Sequence, residues 1–223
     1  MTAVSGFLKR RTMEWLDDVP DKIRVIPNFV DTDVFRPAKR RAEALVVHVS
    51  NFRPVKRSAD ALRAFYLVRR KRPARMLFIG DGPEAAAVKA LAKKLRVGGD
   101  VEFRGEDRDI HAVIAKAGVL LSTSEFEGFG LAPLEAMACG VPVVATDSGG
   151  VREVVSDDCG FVVPVGSVEA LAEKMRAVLD DGALARRLGE AGRARAEKHF
   201  RPSVVVPRYE ETYEEPSSEA AHA

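Results

Sequence analysis

Val119-Leu120-Leu121-Ser122-Thr123-Ser124-Glu125-Phe126-Glu127-Gly128-Phe129-Gly130-Leu131-Ala132-Pro133-Leu134-Glu135-Ala136-Met137-Ala138-Cys139-Gly140-Val141-Pro142-Val143-Val144-Ala145 is the stretch that decides the fold. Its two ends, 119–122 and 141–145, are short, nearly continuous apolar runs of the kind found in strands covered on both faces. Between them, the glycines flanking Phe129 stand where a helix should begin, and Leu134, Ala136, Met137 and Ala138 keep that helix apolar. Strand, loop, helix and strand in this order make one βαβ unit, and such units build a parallel sheet.

Outward from this unit the same alternation continues. Residues 45–49, 75–79 and 161–163 read as further buried strands, with 100–103 a shorter candidate. Ala85, Val88, Leu91, Ala92 and Leu95 recur at helical spacing, as do Val168, Leu171, Ala172, Met175, Val178 and Leu179. Each series gives one apolar stripe that packs a helix onto a sheet. The expected class is therefore α/β, a Rossmann-like parallel sheet with helices on both faces. The ends differ from this middle. Residues 2–4, with Ser5 as N-cap and a helix-like stretch to Leu16, read as the last strand stub and helix of a preceding unit, with nothing before the stub for it to pair with. Residues 1–20 are then a remnant of an N-terminal domain, 21–41 an interdomain linker that includes a short strand at 23–28, and 42–201 the main domain. Residues 202–215 read as a last helix, and 216–223 as a frayed tail.

The 223 residues are 46% hydrophobic, enough for one large core or two small ones, which excludes disorder for most of the chain. Thirty-five Lys and Arg against 33 Asp and Glu leave a net charge of +2, spread along the chain, so no electrostatic footprint for nucleic acid is visible. Cys139 and Cys159 are too few for a disulfide framework and lack metal-ligand spacing. No apolar run approaches the roughly 20 residues of a membrane span, and residues 1–16 lack the apolar stretch of a signal peptide. The expected compartment is a reducing cytoplasm.

In a doubly wound sheet, ligands bind beyond the carboxyl ends of the strands, so the loops there hold the candidate chemistry. Ser50-Asn51-Phe52-Arg53-Pro54-Val55-Lys56-Arg57 places guanidinium and ammonium groups at a strand end, which suits a diphosphate or, equally, a solvated basic loop. Gly80-Asp81-Gly82-Pro83 reads as a phosphate-approaching loop or a plain strand-to-helix turn, with Pro83 in the first helical turn. In the deciding stretch, backbone N–H groups at Gly130 and Leu131 open a helix and can meet a phosphate oxygen. Glu127 precedes that helix and Glu135 lies inside it, eight residues on, suited to gripping hydroxyls on different parts of one ligand. Among so many apolar neighbours, Glu135 is expected to have a partner. His48 reads as a hydrogen-bonded core histidine, Cys139 as a small buried residue at a helix end, and Gly149-Gly150-Val151-Arg152-Glu153 as a helix start or a simple turn.

These residues resemble the C-terminal domain of the family 4 retaining glycosyltransferases, enzymes of GT-B fold. Glu127 and Glu135 match that family's Glu-x7-Glu motif. Gly80-Asp81-Gly82-Pro83 stands where the family places it, and Cys139-Gly140-Val141-Pro142-Val143-Val144 resembles its strand entry. Within the family, Val25-Ile26-Pro27-Asn28-Phe29-Val30-Asp31 and residues 48–57 are similar to the N-acetylglucosaminyl L-malate synthases of bacillithiol biosynthesis. The resemblance implies the donor-binding half of a hexosyltransferase that moves N-acetylglucosamine from UDP-N-acetylglucosamine to L-malate. It also implies that Arg53 and Lys56 bind the donor diphosphate, that Glu127 contacts the donor sugar and that Glu135 takes the ribose hydroxyls. On the same resemblance Phe129, Gly130 and Leu131 are expected at the phosphate, and the loop of Phe103, Arg104 and Gly105 is similar to the one that meets the uracil. No metal and no cofactor beyond the donor are implied. Many relatives carry arginine five residues before the lysine, where this chain has Asn51. The family pairs this domain with an N-terminal Rossmann-like domain that supplies most of the acceptor site, so the chain alone is expected to be inactive. Another nucleotide-sugar transferase, or a truncated nucleotide-binding module, stand as alternatives.

Overall fold

The computed structural model describes residues 1–16, 23–39, 42–107 and 109–214. Elements follow in the order β1 (Thr2–Ala3), α1 (Gly6–Trp15), β2 (Arg24–Val25), β3 (Ala42–Val49), α2 (Ser58–Arg69), β4 (Arg75–Ile79), α3 (Ala85–Lys94) and β5 (Val101–Phe103). Then come α4 (Ile110–Ile114), β6 (Ala117–Ser122), α5 (Leu131–Ala138), β7 (Val143–Thr146), α6 (Val151–Val154), β8 (Gly160–Val163), α7 (Val168–Asp180), α8 (Gly182–His199) and α9 (Pro202–Glu214). Six of the strands form one parallel sheet in the order β5-β4-β3-β6-β7-β8.

Side chains along these strands alternate between two cores, as the pleat demands. Val46, Met76, Phe78, Val119, Leu121, Val144 and Val163 join α2, α3 and α7 on one face. Val47, Leu77, Ile79, Leu120, Val143 and Ala145 join α4, α5 and α6 on the other. Both faces are covered, which is why the strands read as continuous apolar runs, and the α/β class is borne out. The order also creates a switch point: from β3 the chain winds to β4 and β5 on one side, then returns to β6 and continues to β7 and β8 on the other. The crevice beyond the carboxyl ends of β3 and β6 is where such a sheet admits a ligand.

Several local expectations are corrected. β7 starts at Val143 rather than 141, because Val141 N–H is already given to Ala136 O and Pro142 has no N–H to donate. Pro83 lies in a turn ahead of the cap residue Glu84, not within the first turn of α3. The strand stub pairs with a strand that follows it, Thr2–Ala3 lying parallel to Arg24–Val25. Ser5 caps α1 as expected, its hydroxyl accepting from Leu8 N–H at 3.1 Å.

The described part of the expected linker, 23–39, lies against the rest of the chain. Ile23, Ile26 and Val30 are buried, and Val30 N–H donates to Phe200 O at 2.8 Å. The Arg193 guanidinium donates to Thr32 O at 3.0 Å and to Phe35 O at 2.7 Å. From α9, Arg208 and Tyr209 reach the carbonyls of Val25 and Ile26. Residues 17–22 and the tail expected at 216–223 lie outside the described residues.

Candidate functional site: the ledge at the sheet's switch point

The loop after β3 is held against the sheet at several points. Its far wall is the loop after β4, and the two run so close that a Cβ on Gly80 would stand 2.0 Å from Ser50 O, and one on Gly82 would stand 1.8 Å from Asn51 O. Both glycines are therefore needed for loop packing. Between Phe52 and Arg57, each in the left-handed region (φ 45° and 49°), the chain makes a short 3-10 turn, Pro54–Lys56. This turn lifts Arg53 to the surface. Its guanidinium has no ion-pair or hydrogen-bond partner among the described residues.

The loop after β6 meets it directly. Glu125 N–H donates to Val55 O at 2.7 Å, and the Thr123 hydroxyl lies 2.9 Å from Lys56 O and 3.1 Å from Arg57 O. These contacts bring Lys56 and Glu127, 71 residues apart in sequence, into an ion pair of 2.6 Å with both side chains about three-quarters buried. Ser124 Oγ donates to the same carboxylate oxygen at 3.2 Å. The ammonium is thus poised but occupied: an anion entering here competes with Glu127 for it.

Beside this pair, α5 begins at Leu131, with Gly130 as its cap residue in the left-handed region (φ 109°) and no side chain satisfying the exposed N–H groups. Leu131 is 48% exposed. The helix therefore offers an anion its positive end and donors without a side-chain cap. Four residues on, and so on the same stripe of the helix, lies Glu135. The partner expected for it is not there: no hydrogen bond or ion pair reaches its carboxyl among the described residues. Burial instead pushes its pKa up to about 7.

This shift has a sign that can be tested. Between the ordinary carboxyl value and 7 the folded protein keeps a proton that the unfolded chain has released, so stability present at low pH is lost as pH rises through 7. Glu135→Gln removes that loss. Relative to the parent protein, the variant is expected to gain up to about 3 kcal/mol at pH 8 compared with pH 4.5, read from urea unfolding at both values. Identical pH dependence in the two proteins would show that the carboxyl is not desolvated. His48, held down to about 4 by burial, titrates in both proteins and cancels from the comparison.

Two other expected site residues behave differently. The Phe129 ring is 4% exposed and sits edge-on to Phe200, with 5.7 Å between centroids, so it belongs to the core and only its backbone lines the ledge. Arg104 follows β5 at the sheet edge, and its guanidinium pairs with Glu102 at 3.0 Å and Asp107 at 3.4 Å. Those carboxylates raise its pKa further, the Glu102 contact most. The same loop is tied to the Gly80 loop by Gly80 N–H donating to Gly105 O at 2.6 Å. The structure thus gathers Arg53, Lys56, Glu127, Gly130, Leu131 and Glu135 on the loops and helix beyond β3 and β6, and places Arg104 in its own acidic cluster.

Sequence reasoning missed Thr123, whose hydroxyl stitches the two loops together, and Ser124, whose hydroxyl holds Glu127 within the loop after β6. Nothing in the spacing of Thr123 from residue 56 signals the contact. A cavity of about 740 Å3 lies at the other end of the strands. Its lining includes Gly118 near the start of β6, Gly140 just before β7, Arg193 and Glu197. It is separate from the ledge.

Comparison with known proteins supplies the context for this geometry. Over residues 30–195 the chain matches the family described as glycosyl transferases group 1. It is 35% identical over 224 aligned residues to the N-acetyl-alpha-D-glucosaminyl L-malate synthase of Bacillus anthracis, covering 96% of this chain and 58% of that protein. It is 29% identical to the MMP alpha-(1->4)-mannosyltransferase of Mycolicibacterium hassiacum, covering 87% of this chain and 49% of that protein. Among solved structures, Anabaena HepE in complex with UDP and glucose superposes with a TM-score of 0.88 at 22% identity, over 96% of this chain and 62% of that one. The chain spans about half the length of the curated relatives it matches. The GT-B type of sheet implied by the sequence resemblance is borne out by this superposition. With strands, switch point and family match in agreement over three-quarters of its length, the chain belongs to the glycosyl transferases group 1 family.

Proposed function

We propose that the chain is the donor-binding half of a retaining glycosyltransferase that moves N-acetylglucosamine from UDP-N-acetylglucosamine to L-malate. The observation that carries this reading is the ledge itself, where Lys56, Glu127, the uncapped start of α5 and the unpartnered Glu135 line up beyond β3 and β6. The similarity to the Bacillus anthracis synthase favours this donor and acceptor. In this arrangement Arg53 and Lys56 grip the diphosphate, and the N–H groups at Gly130 and Leu131 take up the charge that grows on it as the sugar bond breaks. Glu127 orients the sugar, and Glu135 accepts from the ribose hydroxyls. Arg104 needs to leave Glu102 and Asp107 if it is to meet the uracil. Catalysis is then positional and electrostatic, with no protein nucleophile required.

Residues 1–20 belong in this reading with a second half that holds the acceptor, 21–41 connect the two halves, and 42–201 form the donor domain. Among the described residues no helix is long and apolar enough to cross a membrane. Both cysteines are buried, and the compartment in this reading is the cytoplasm.

Calorimetry tests the donor assignment. UDP and UDP-N-acetylglucosamine are expected to bind saturably, and Lys56→Ala is expected to weaken UDP by roughly 10- to 100-fold, the effect of losing a hydrogen bond to a charged group. Uridine, which lacks the diphosphate, should change by less than about threefold by the same reasoning. Equal loss for both ligands would place Lys56 away from the phosphates, and absence of any uridine nucleotide binding would remove the proposal. The similarity to a mannosyltransferase supports a second reading with another sugar nucleotide. Tighter binding of GDP-mannose than of UDP-N-acetylglucosamine would favour it.

A further inference from the structure

Beneath the loop after β3, four hydrogen bonds run in series from the Phe52 amide to the Leu121 carbonyl on β6. Phe52 N–H donates to Ser50 Oγ at 2.9 Å, Ser50 Oγ and Ser58 Oγ are 3.1 Å apart, and Ser58 Oγ lies 3.1 Å from His48 Nε2. His48 Nδ1 lies 2.9 Å from Leu121 O. The ends dictate the direction of the series, because an amide N–H only donates and a carbonyl only accepts. His48 therefore carries its proton on Nδ1 and donates to Leu121 O. Its Nε2 accepts from the Ser58 hydroxyl, Ser58 accepts from the Ser50 hydroxyl, and Ser50 accepts from Phe52 N–H. Every link is satisfied with a neutral imidazole. All five residues are buried, none more than 6% exposed.

Packing alone does not call for this arrangement. The imidazole sits edge-on to Phe78, 5.2 Å between centroids, in a core where an apolar side chain would avoid the cost of desolvation. What the series does is span the loop that carries Arg53 and Lys56. It fixes Phe52, on one side of them, and Ser58, the first residue of α2, on the other. Phe52 and Arg57 both adopt left-handed backbone without being glycine, and such conformations persist only where their surroundings over-determine them.

We propose that His48 is a positioning residue for the donor diphosphate, acting through Ser58 and Ser50 to hold the turn that presents Arg53 and Lys56 at the ledge. This rests on the donor-binding reading above. His48 touches no ligand itself.

The test uses the whole chain and the variants His48→Phe, His48→Gln and Ser58→Ala. Ser58→Ala is nearly isosteric and favours helix, so it guards against a folding defect in His48→Phe. UDP binding is expected to weaken by roughly tenfold in His48→Phe and Ser58→Ala, while uridine binding changes by less than about twofold. His48→Gln, whose amide oxygen can accept from Ser58, is expected to recover part of the loss. Equal weakening of UDP and uridine, or unchanged UDP binding in both variants, would reduce His48 to a packing residue and overturn the proposal. Amide hydrogen exchange without ligand separates this outcome from failure of the donor reading. Exchange at Phe52 and Arg57 is expected to quicken by tenfold or more in Ser58→Ala, while Val144 on β7 is unchanged. If UDP does not bind the parent protein, the donor reading falls. Quickened exchange then still supports the hold on the loop, and unquickened exchange overturns it.

Discussion

A polypeptide of residues 1–223, given UDP-N-acetylglucosamine and L-malate, is expected to form product several decades more slowly than the 1 to about 1,000 per second usual for enzymes. The physical reason lies in what the ledge offers. In the donor-binding reading proposed above, its charged and polar groups take a nucleotide diphosphate and its sugar, and none of them is assigned to the acceptor. Holding two reactants in register lowers a barrier by about 7 to 11 kcal/mol, and a donor site by itself leaves the acceptor to arrive from solution. Slow hydrolysis of the donor is the activity expected to survive. Met13, Trp15 and Leu16, on or just after α1, are 43, 65 and 54% exposed, and an apolar surface of this kind favours self-association of the isolated polypeptide. The assay compares the polypeptide alone with the polypeptide plus the N-terminal half of the Bacillus anthracis synthase, expressed separately. Turnover of about 1 per second or faster from residues 1–223 alone would place an acceptor site within them.

The second large effect is on stability. Gly80→Ala is expected to lower the free energy of unfolding by at least about 3 kcal/mol, in the range reserved for strained backbone and steric conflict in a packed interior. Two observations require it. Gly80 has φ +110°, a region that residues with a Cβ rarely enter, and the added Cβ would stand 2.0 Å from Ser50 O. That oxygen belongs to backbone and has no flexible end to move aside. Relief means pushing the loop after β3 away from the loop after β4, which also disturbs the approach to Lys56. Gly98→Ala is the control: its Cβ meets nothing within 4 Å, and its effect should stay within about 1 kcal/mol of zero. Urea unfolding of both variants measures the difference. A loss below about 1 kcal/mol for Gly80→Ala would mean that the two loops separate at little cost.

The sheet was legible in the sequence because burial on both faces writes itself into consecutive residues. Val46 and Val47, or Leu120 and Leu121, point to opposite cores, and both must be apolar. The start of α5 was legible for a similar reason, since Gly130 announces the left-handed turn from which the helix departs. The eight-residue spacing of Glu127 and Glu135 likewise belongs to one continuous loop and helix. Such features are local, and local periodicity records them. The edges of elements were less legible: β7 starts late because Val141 spends its N–H on Ala136, a bond that no periodicity reveals.

Partnership of side chains was decided only in three dimensions. The strand order sets the ends of β3 and β6 side by side, and this adjacency, rather than anything near residue 56 or 127, pairs Lys56 with Glu127. The same assembly turns Arg104 toward Glu102, seats the Phe129 ring against Phe200 and leaves Glu135 partly buried without a partner among the described residues. It also joins His48 to Ser50 and Ser58 through hydroxyls whose short sequence separation says nothing of direction. A sequence states which groups are available at each strand end. Which charges neutralise one another, and which stay desolvated and unpaired, depends on the loops that parallel crossovers bring together, because Coulomb and hydrogen-bond energies fall off within a few ångströms while the residues concerned lie dozens of positions apart.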